Sequence, residues 1–307
     1  MKVLVTGGAG FIGSHLVDRL IQEGHEVVVV DNLSTGKRRN LNRAARFFKI
    51  DIQSWRLERV FRNERPNVVM HLAAQMDVRK SVEDPVFDAQ VNVLGTLNVL
   101  QQAVRHGVRK VVFSSSGGAI YGEQEIYPAP ESHVTRPLSP YGISKLCGEQ
   151  YLSYYQRVSG LQMVNLRYAN VYGPRQDPDG EAGVVAIFIQ KLLNNEQAIV
   201  YGNGRQTRDF IYVEDVVEAN LAVMGQETQG TYNVGTGEET SINDVLRILV
   251  GHTNSTCKEL HGPAKHGEQV RSVIDSSKIR QELSWEPRTE LNEGLKRTID
   301  YFRERMG

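Results

Sequence analysis

Lys2-Val3-Leu4-Val5-Thr6-Gly7-Gly8-Ala9-Gly10-Phe11-Ile12-Gly13 stands at the start of the chain. The residues before Gly7 read as a buried strand. His15-Leu16-Val17-Asp18-Arg19-Leu20-Ile21, after Gly13, reads as a helix with apolar periodicity. Between them lie glycines spaced G-x-x-G-x-x-G. A strand, a tight turn and a helix N-terminus form an anion site, because backbone N–H groups and the positive helix end converge there. Gly7 allows the turn, Gly10 lets a phosphate approach the backbone, and Gly13 lets the helix pack close to the sheet. A glycine triplet alone is a weak signal. Placed between a strand and a helix, it reads as a dinucleotide site.

The second half of the signal follows. Val27-Val28-Val29-Val30 is another buried strand, and Asp31 ends it, about 20 residues past the glycines as the fingerprint requires. A carboxylate there can hold both ribose hydroxyls of an adenosine and would repel a 2′-phosphate. The expected cofactor is therefore NAD rather than NADP.

Strands and helices alternate onward to about residue 170. Strands are expected at 46–50, 68–72, 110–114 and 163–167. Helices are expected at 54–63, 82–106 (with Gly107 to cap it) and 139–159, the last with Pro140 in its first turn. Such alternation implies a parallel sheet covered on both faces. After a Gly/Pro/Asp-rich loop at 174–183 the elements become shorter and mixed. Helices are expected near 183–194, 213–224, 241–250 and 290–305, with short strands near 198–201, 232–234 and 271–274. The expected fold is α/β: a Rossmann-type doubly wound parallel sheet with a smaller mixed α/β C-terminal substrate-binding lobe. Residues 1–172 would form the NAD-binding domain and 173–307 a discontinuous substrate lobe, with 206–235 returning to the first domain.

Bulk properties narrow the class. Across 307 residues, 36 basic and 36 acidic side chains balance, which gives no electrostatic case for nucleic acid or an anionic membrane. No apolar run approaches the roughly 20 residues of a membrane span. No charged-then-apolar leader precedes the strand at residue 2, so a cytoplasmic protein is expected. Cys147 and Cys257 are too few for a disulfide framework, and the 8 histidines show no ligand spacing, so no metal is expected.

The chemistry is carried by Ser139-Pro140-Tyr141-Gly142-Ile143-Ser144-Lys145. On a helix, Tyr141 and Lys145 share a face. An ammonium beside a phenol favours phenolate, and a tyrosine that titrates near 10 needs that help to act as a base. Upstream, Phe113-Ser114-Ser115-Ser116-Gly117-Gly118 ends a strand at the edge where doubly wound sheets bind ligands. Ser116 is the expected catalytic hydroxyl, with Ser115 as the alternative.

Taken together, these segments resemble an extended short-chain dehydrogenase/reductase, specifically a nucleotide-sugar epimerase, most similar to the UDP-glucose 4-epimerases. Further motifs carry the resemblance along nearly the whole chain: Asp31-Asn32-Leu33-Ser34-Thr35-Gly36, Asp51-Ile52, His71-Leu72-Ala73-Ala74-Gln75, Asn92-Val93-Leu94-Gly95-Thr96, Leu166-Arg167-Tyr168-Ala169-Asn170-Val171-Tyr172-Gly173-Pro174, and Thr207-Arg208-Asp209. The resemblance implies that Phe11 and Ile12 join the glycines at the cofactor, and that Asp31, Asn32, Ser34, Thr35 and Gly36 surround the adenosine ribose. It puts Asp51 and Ile52 at the adenine, and Leu72, Ala73, Ala74, Asn92, Ser114 and Tyr168 along the cofactor. Lys145 would also bind the nicotinamide ribose. Ser116, Tyr141, Asn170 and Arg208 would contact the substrate. A guanidinium fork such as that of Arg208 suits a diphosphate.

Departures from the family pattern refine the expectation. Gly117 and Gly118 stand where a dehydratase carries an acidic pair, and the acid a decarboxylase usually places nearby is missing too. In the late motif Ala264-Lys265-His266-Gly267-Glu268, a lysine replaces the usual arginine, so Lys265, Glu268 and Arg271 are substrate-site candidates, with Arg271 able to take over at the phosphates. Ser272 falls where related epimerases limit room at the sugar C2 substituent. A small serine there implies use of UDP-N-acetylglucosamine besides UDP-glucose. The family also implies a homodimer through the helices expected at 82–106 and 139–159. The expected activity is NAD-dependent C4 epimerisation of a UDP-hexose through a 4-keto sugar. The alternatives are another NAD-dependent nucleotide-sugar enzyme (a reductase, a decarboxylase or another epimerase) and a non-catalytic NAD-binding regulator.

Overall fold

The structure is a computed structural model that describes residues 1–179, 183–225, 227–264 and 269–306. The first half runs β1 (Lys2–Thr6), α1 (Phe11–Gln22), β2 (Glu26–Asp31), β3 (Arg46–Lys49), α2 (Leu57–Glu64), β4 (Val68–His71), α3 (Val78–Glu83), α4 (Pro85–Ala89), a π-turn (Gln90–Leu94), α5 (Gly95–Arg105), β5 (Lys110–Ser116), α6 (Gly117–Ile120), α7 (Pro140–Ser159) and β6 (Gln162–Tyr168). The second half runs β7 (Asn170–Tyr172), α8 (Val184–Leu193), β8 (Val200–Tyr201), β9 (Thr207–Arg208), β10 (Phe210–Tyr212), α9 (Val213–Met224), β11 (Gly230–Val234), β12 (Thr240–Ser241), α10 (Ile242–Thr253), β13 (His261–Gly262), β14 (Arg271–Ser272), α11 (Ser277–Leu283) and α12 (Leu291–Met306).

Seven parallel strands form the main sheet in the order β11-β6-β5-β4-β1-β2-β3. Alternate residues of β1 feed two cores. Val3 and Val5 pack with Leu16 of α1 and Val216 of α9, whereas Leu4 packs with Phe61 of α2 and Leu100 of α5. Strands buried on both faces need continuous apolar runs, which is why these read as Val-rich blocks rather than alternating ones. β1 pairs with β2 on one side and β4 on the other. The chain therefore reverses direction across the sheet at β1, and the glycine turn that follows sits at this switch point, where doubly wound sheets leave a crevice.

The helix expected over 82–106 is corrected. It breaks at Asp84-Pro85: the Asp84 carboxylate caps the amide of Phe87 at 2.9 Å and Pro85 occupies the first turn of α4. A proline has no N–H to give to the preceding turn, so α3 ends before it. Further along, the π-turn at Gln90–Leu94 carries Asn92 inward. α11, which no periodicity announced, packs against β11.

β11 joins the main sheet beside β6, in register Gly230 to Val164 through Val234 to Tyr168. A third core gathers α8, α10 and α12 around Phe188, Leu246 and Leu295. Small ladders connect this part to the sheet. β7 pairs with β10, and β9 lies between β12 and β14, setting Arg208 opposite Ser272. No helix among the described residues is long and apolar enough to cross a membrane.

Candidate active site

The glycine turn is a close-packed cradle. Gly7 has φ +73°, and a Cβ there would lie 2.8 Å from the Ala73 amide nitrogen. A Cβ on Gly13 would lie 2.1 Å from the Gly7 carbonyl oxygen. Side chains are excluded at both positions. Gly10 precedes α1 and offers no side-chain cap, and the first turn holds no acidic residue, so the amides of Phe11, Ile12 and Gly13 face outward at the positive helix end. Asp31 is buried. Its Oδ2 accepts from the Ala9 amide at 3.0 Å and its Oδ1 from the Leu33 amide at 2.7 Å, and burial raises its pKa. Each carboxylate oxygen keeps further lone pairs for a ribose hydroxyl. A Cβ on Gly36 would lie 2.8 Å from Asp31 Oδ1, so the backbone after Thr35 closes over the carboxylate. Asn32 turns the loop by accepting from the Ser34 amide at 2.9 Å and donates to Asp51 Oδ2 at 2.7 Å. Ile52 is buried against Gly95. This uncapped cradle with a buried acid at its rim fits a dinucleotide with unmodified ribose hydroxyls.

Behind the cradle runs a buried relay. The Ala73 amide donates to Thr6 Oγ1 at 3.2 Å, and Thr6 Oγ1 lies 2.7 Å from His71 Nδ1. His71 Nε2 lies 3.0 Å from Thr96 Oγ1, which donates to the Asn92 carbonyl at 2.6 Å. Because the Thr96 hydrogen is spent on that carbonyl, Thr96 accepts from His71 Nε2–H, and Thr6 donates to Nδ1. Burial, reinforced by the Lys145 charge, pushes His71 down to about 3, so it is neutral and structural. Leu72, Ala73 and Ala74 are only half buried beside it.

Three rungs join α7 to the end of β5. The Ser116 hydroxyl sits by the Tyr141 phenol and lowers its pKa, Lys145 Nζ donates to the Ser114 carbonyl at 2.7 Å, and Ser115 Oγ donates to Glu149 Oε1 at 2.5 Å. Glu149 is in turn paired with buried Arg167, whose Nη2 lies 2.7 Å from its Oε2. Ser115 thus faces an ion pair and only Ser116 faces Tyr141, which separates the two candidate hydroxyls. The α7 N-terminus is held by Ser139, whose Oγ accepts from the Gly142 amide at 3.1 Å.

The expected phenolate-favouring effect is corrected. Burial, with a smaller push from Asp88, raises Tyr141 to about 12, and the neighbouring Ser116 hydroxyl only partly offsets it. Lys145 Nζ lies 5.9 Å from the Tyr141 ring centre, and burial lowers Lys145 to about 8. Desolvation outweighs a single ammonium at that distance. Tyr168 lies deeper. Its hydroxyl accepts from Asn220 Nδ2 at 2.8 Å. The residue is buried against α9, because successive β6 side chains alternate faces.

The substrate-side residues gather around Gly118. A Cβ built there would lie 3.6 Å from Asn170 Oδ1 and 4.0 Å from both Ser116 Oγ and Ser272 Oγ. At Gly117 it would strike Ile274 Cδ1 at 2.9 Å, so that position admits no side chain without a shift. The hub of this gathering is Asp209, a residue sequence reasoning treated only as a neighbour of Arg208. Its carbonyl accepts from the Asn170 amide at 2.8 Å and its amide donates to the Ser272 carbonyl at 2.9 Å. Its buried carboxylate accepts from the Thr236 amide at 2.9 Å, the Thr236 hydroxyl at 2.7 Å and the Gly237 amide at 3.1 Å. Arg208 Nη1 donates to the Thr207 carbonyl at 2.8 Å. Arg271 lies over the Tyr127 ring at 3.7 Å and is paired with Glu239 at both ends of its fork. Lys265 and Glu268 lie outside the described residues. Among the described residues no cluster of His, Cys, Asp or Glu could hold a metal ion.

A dinucleotide cradle at a sheet switch point, beside a helix bearing Tyr-x-x-x-Lys, defines an α/β enzyme class that works on alcohols and ketones with NAD. Residues 3–235 match the model of the NAD dependent epimerase/dehydratase family, and the chain belongs to that family. It is 44% identical over 311 residues to a UDP-glucose 4-epimerase of Mycolicibacterium smegmatis, covering 99% of each chain. It is similar to the crystal structure of a Thermotoga maritima UDP-glucose 4-epimerase with UDP-glucose (TM-score 0.98, 48% identity, 100% of each chain). It is also similar to that of a Thermus thermophilus UDP-glucose 4-epimerase complexed with NAD (TM-score 0.95, 46% identity, 99% of each chain).

Proposed function

We propose that this chain is a UDP-hexose 4-epimerase that interconverts UDP-glucose and UDP-galactose. The observation that carries the reading is the convergence of Ser116, Asn170 and Ser272 around Gly118, next to Tyr141 and at the end of β5, a strand of the same parallel sheet whose β1 leads into the glycine turn. Gly7, Gly10, Phe11, Ile12 and Gly13 would hold the diphosphate of NAD, and Asp31 with Gly36 its adenosine ribose. When bound, NAD supplies a group that accepts and returns a hydride at the sugar C4, so that this carbon passes through a ketone.

The chain's own residues supply the rest. Tyr141 takes the proton of the 4-hydroxyl as the ketone forms and returns it after the sugar has turned over. Ser116 bridges the hydroxyl and Tyr141. A tyrosine raised by burial needs concentrated positive charge to work as a base, and Lys145 provides part of it. Arg208 and Asn170 would anchor the UDP moiety, leaving the hexose free to rotate. Gly117 and Gly118 place no acid beside the sugar, which disfavours elimination of water. The small, buried Ser272 supports use of N-acetylated sugars as well.

Apolar side chains left exposed on two adjacent helical runs support a homodimer. Val82, Val86 and Leu94 lie along α3, α4 and the π-turn, and Ile143, Tyr154 and Val158 along α7. The functional test is incubation of purified protein with UDP-glucose and no added NAD, with product read by chromatography. UDP-galactose is expected, and its absence from active-folded, NAD-containing protein overturns the reading.

A further inference from the structure

Beneath the site lies a carboxylate that none of the preceding roles uses. Asp88, on α4, is 1% exposed. Its Oδ1 accepts from Asn92 Nδ2 and from Gln75 Nε2, each at 3.0 Å, and its Oδ2 accepts from Ser144 Oγ at 2.6 Å. Both amides are oriented by backbone donors. The Gln75 amide donates to Asn92 Oδ1 and the Asp77 amide to Gln75 Oε1, each at 2.8 Å. Asn92 and Gln75 therefore turn N–H groups toward the Asp88 carboxylate.

A buried charge without a partner is costly. Among the described residues no ion pair involves Asp88. The charged and titratable groups around it narrow the compensation. From α7 its contact is Ser144, which stands between Tyr141 and Lys145 in the helix, and both of those feel its charge. From β4, His71 is held neutral. From α3, the Lys80 ammonium sits over the Phe87 ring at 4.7 Å. Asp84, before α4, is exposed and engaged as a cap. Glu149 lies one turn past Lys145 but is neutralised by Arg167. The remaining buried positive charge is Lys145.

We propose that Asp88 is a positioning residue for Tyr141 and Lys145: its buried charge is the counter-charge of the Lys145 ammonium, and its bond to Ser144 fixes the turn of α7 between them. This rests on Tyr141 and Lys145 being the working pair. The electrostatics agree in sign. After burial, Asp88 is the leading influence that raises Lys145, and it also raises Tyr141. Asp88 thus keeps the ammonium charged in an apolar site while making phenolate harder to form.

Asp88→Asn tests this with little change of shape. The new Oδ1 still accepts from Asn92 and Gln75, and Ser144 Oγ turns to the Tyr141 carbonyl, already 3.0 Å away. In NAD-containing Asp88→Asn protein, both limbs of the kcat–pH profile are expected to move to lower pH by about one unit, and Asp88→Glu is expected to keep the original profile. Lys145 titration, followed by NMR of isotope-labelled lysine, should show the same downward displacement without substrate. Asp88→Ser is the second neutral variant. Displacement in whichever neutral variant folds supports the proposal. Superimposable profiles overturn it, as does failure of every neutral variant to fold, which would make Asp88 purely structural. A displaced Lys145 titration in protein inactive on UDP-sugars would instead overturn the functional reading and leave this one standing.

Discussion

Ser115 Oγ donates to Glu149 Oε1 at 2.5 Å, on the far side of the β5 backbone from the Ser116 hydroxyl that meets Tyr141. Neighbouring residues of one strand point to opposite faces, so a one-residue difference decides which serine can touch a substrate.

Consequently the two serines should separate cleanly. Ser116→Ala and Tyr141→Phe should each lower kcat by about 10²–10⁴-fold, the range for a lost acid–base group, with bound NAD and melting temperature retained. Ser115→Ala should leave kcat within a few-fold and cost about 1 kcal/mol of stability, since Glu149 keeps Arg167. Equal kinetic losses in Ser115→Ala and Ser116→Ala would reverse the assignment.

Acid should destabilise the fold through His71. Its folded pKa of about 3 lies below the ordinary 6.5 because it is buried, so between those values the unfolded chain binds the extra proton. The stabilisation is fully present above about pH 6.5 and is lost as the pH falls toward 3. It amounts to several kcal/mol, taking about 1.4 kcal/mol per pKa unit. Urea unfolding at neutral pH and near pH 4 should show His71→Gln less stable at neutral pH but with a shallower acid loss. An unchanged slope would count against this account. His15, lowered to about 4 by burial, contributes in the same direction.

Room at residue 272 should govern the sugar. Ser272 Oγ lies 4.0 Å from the point a Gly118 Cβ would occupy, so a large side chain on β14 would fill the space shared with Ser116 and Asn170. Ser272→Tyr should depress kcat/KM for UDP-N-acetylglucosamine by at least tenfold more than for UDP-glucose. Parallel losses on both substrates would dismiss the specificity role.

Leu94 is 57% exposed on the π-turn, close to the exposed stripe of α7. Leu94→Glu would bring a charge into an apolar interface, and sedimentation velocity should then report monomer where the parent protein sediments as a dimer. A parent protein that is itself monomeric would remove the dimer from the proposal.

Much of this is legible in the sequence. The Val-rich strands, the glycine spacing and Asp31 imply the cradle because its geometry is local: strand, turn and helix are contiguous, and each glycine answers a nearby backbone contact. Tyr141 and Lys145 are equally local, four residues apart on one helix. The break at Asp84-Pro85 was also written in the residues, since an aspartate before a proline is a helix start, but the apolar spacing of the longer segment masked it.

The sequence by itself determined the main parallel strands, the dinucleotide turn and the pair on α7, because these depend on spacing within about one supersecondary unit. Only the tertiary structure decided that Ser116 rather than Ser115 meets Tyr141, that Asp209 draws Asn170 and Ser272 together, that burial rather than Lys145 dominates the Tyr141 pKa, and that Asp88 lies beneath the pair. Those outcomes depend on which residues distant in the chain exclude water from one another. Desolvation and long-range hydrogen bonds are set by packing between elements, and no local spacing encodes them.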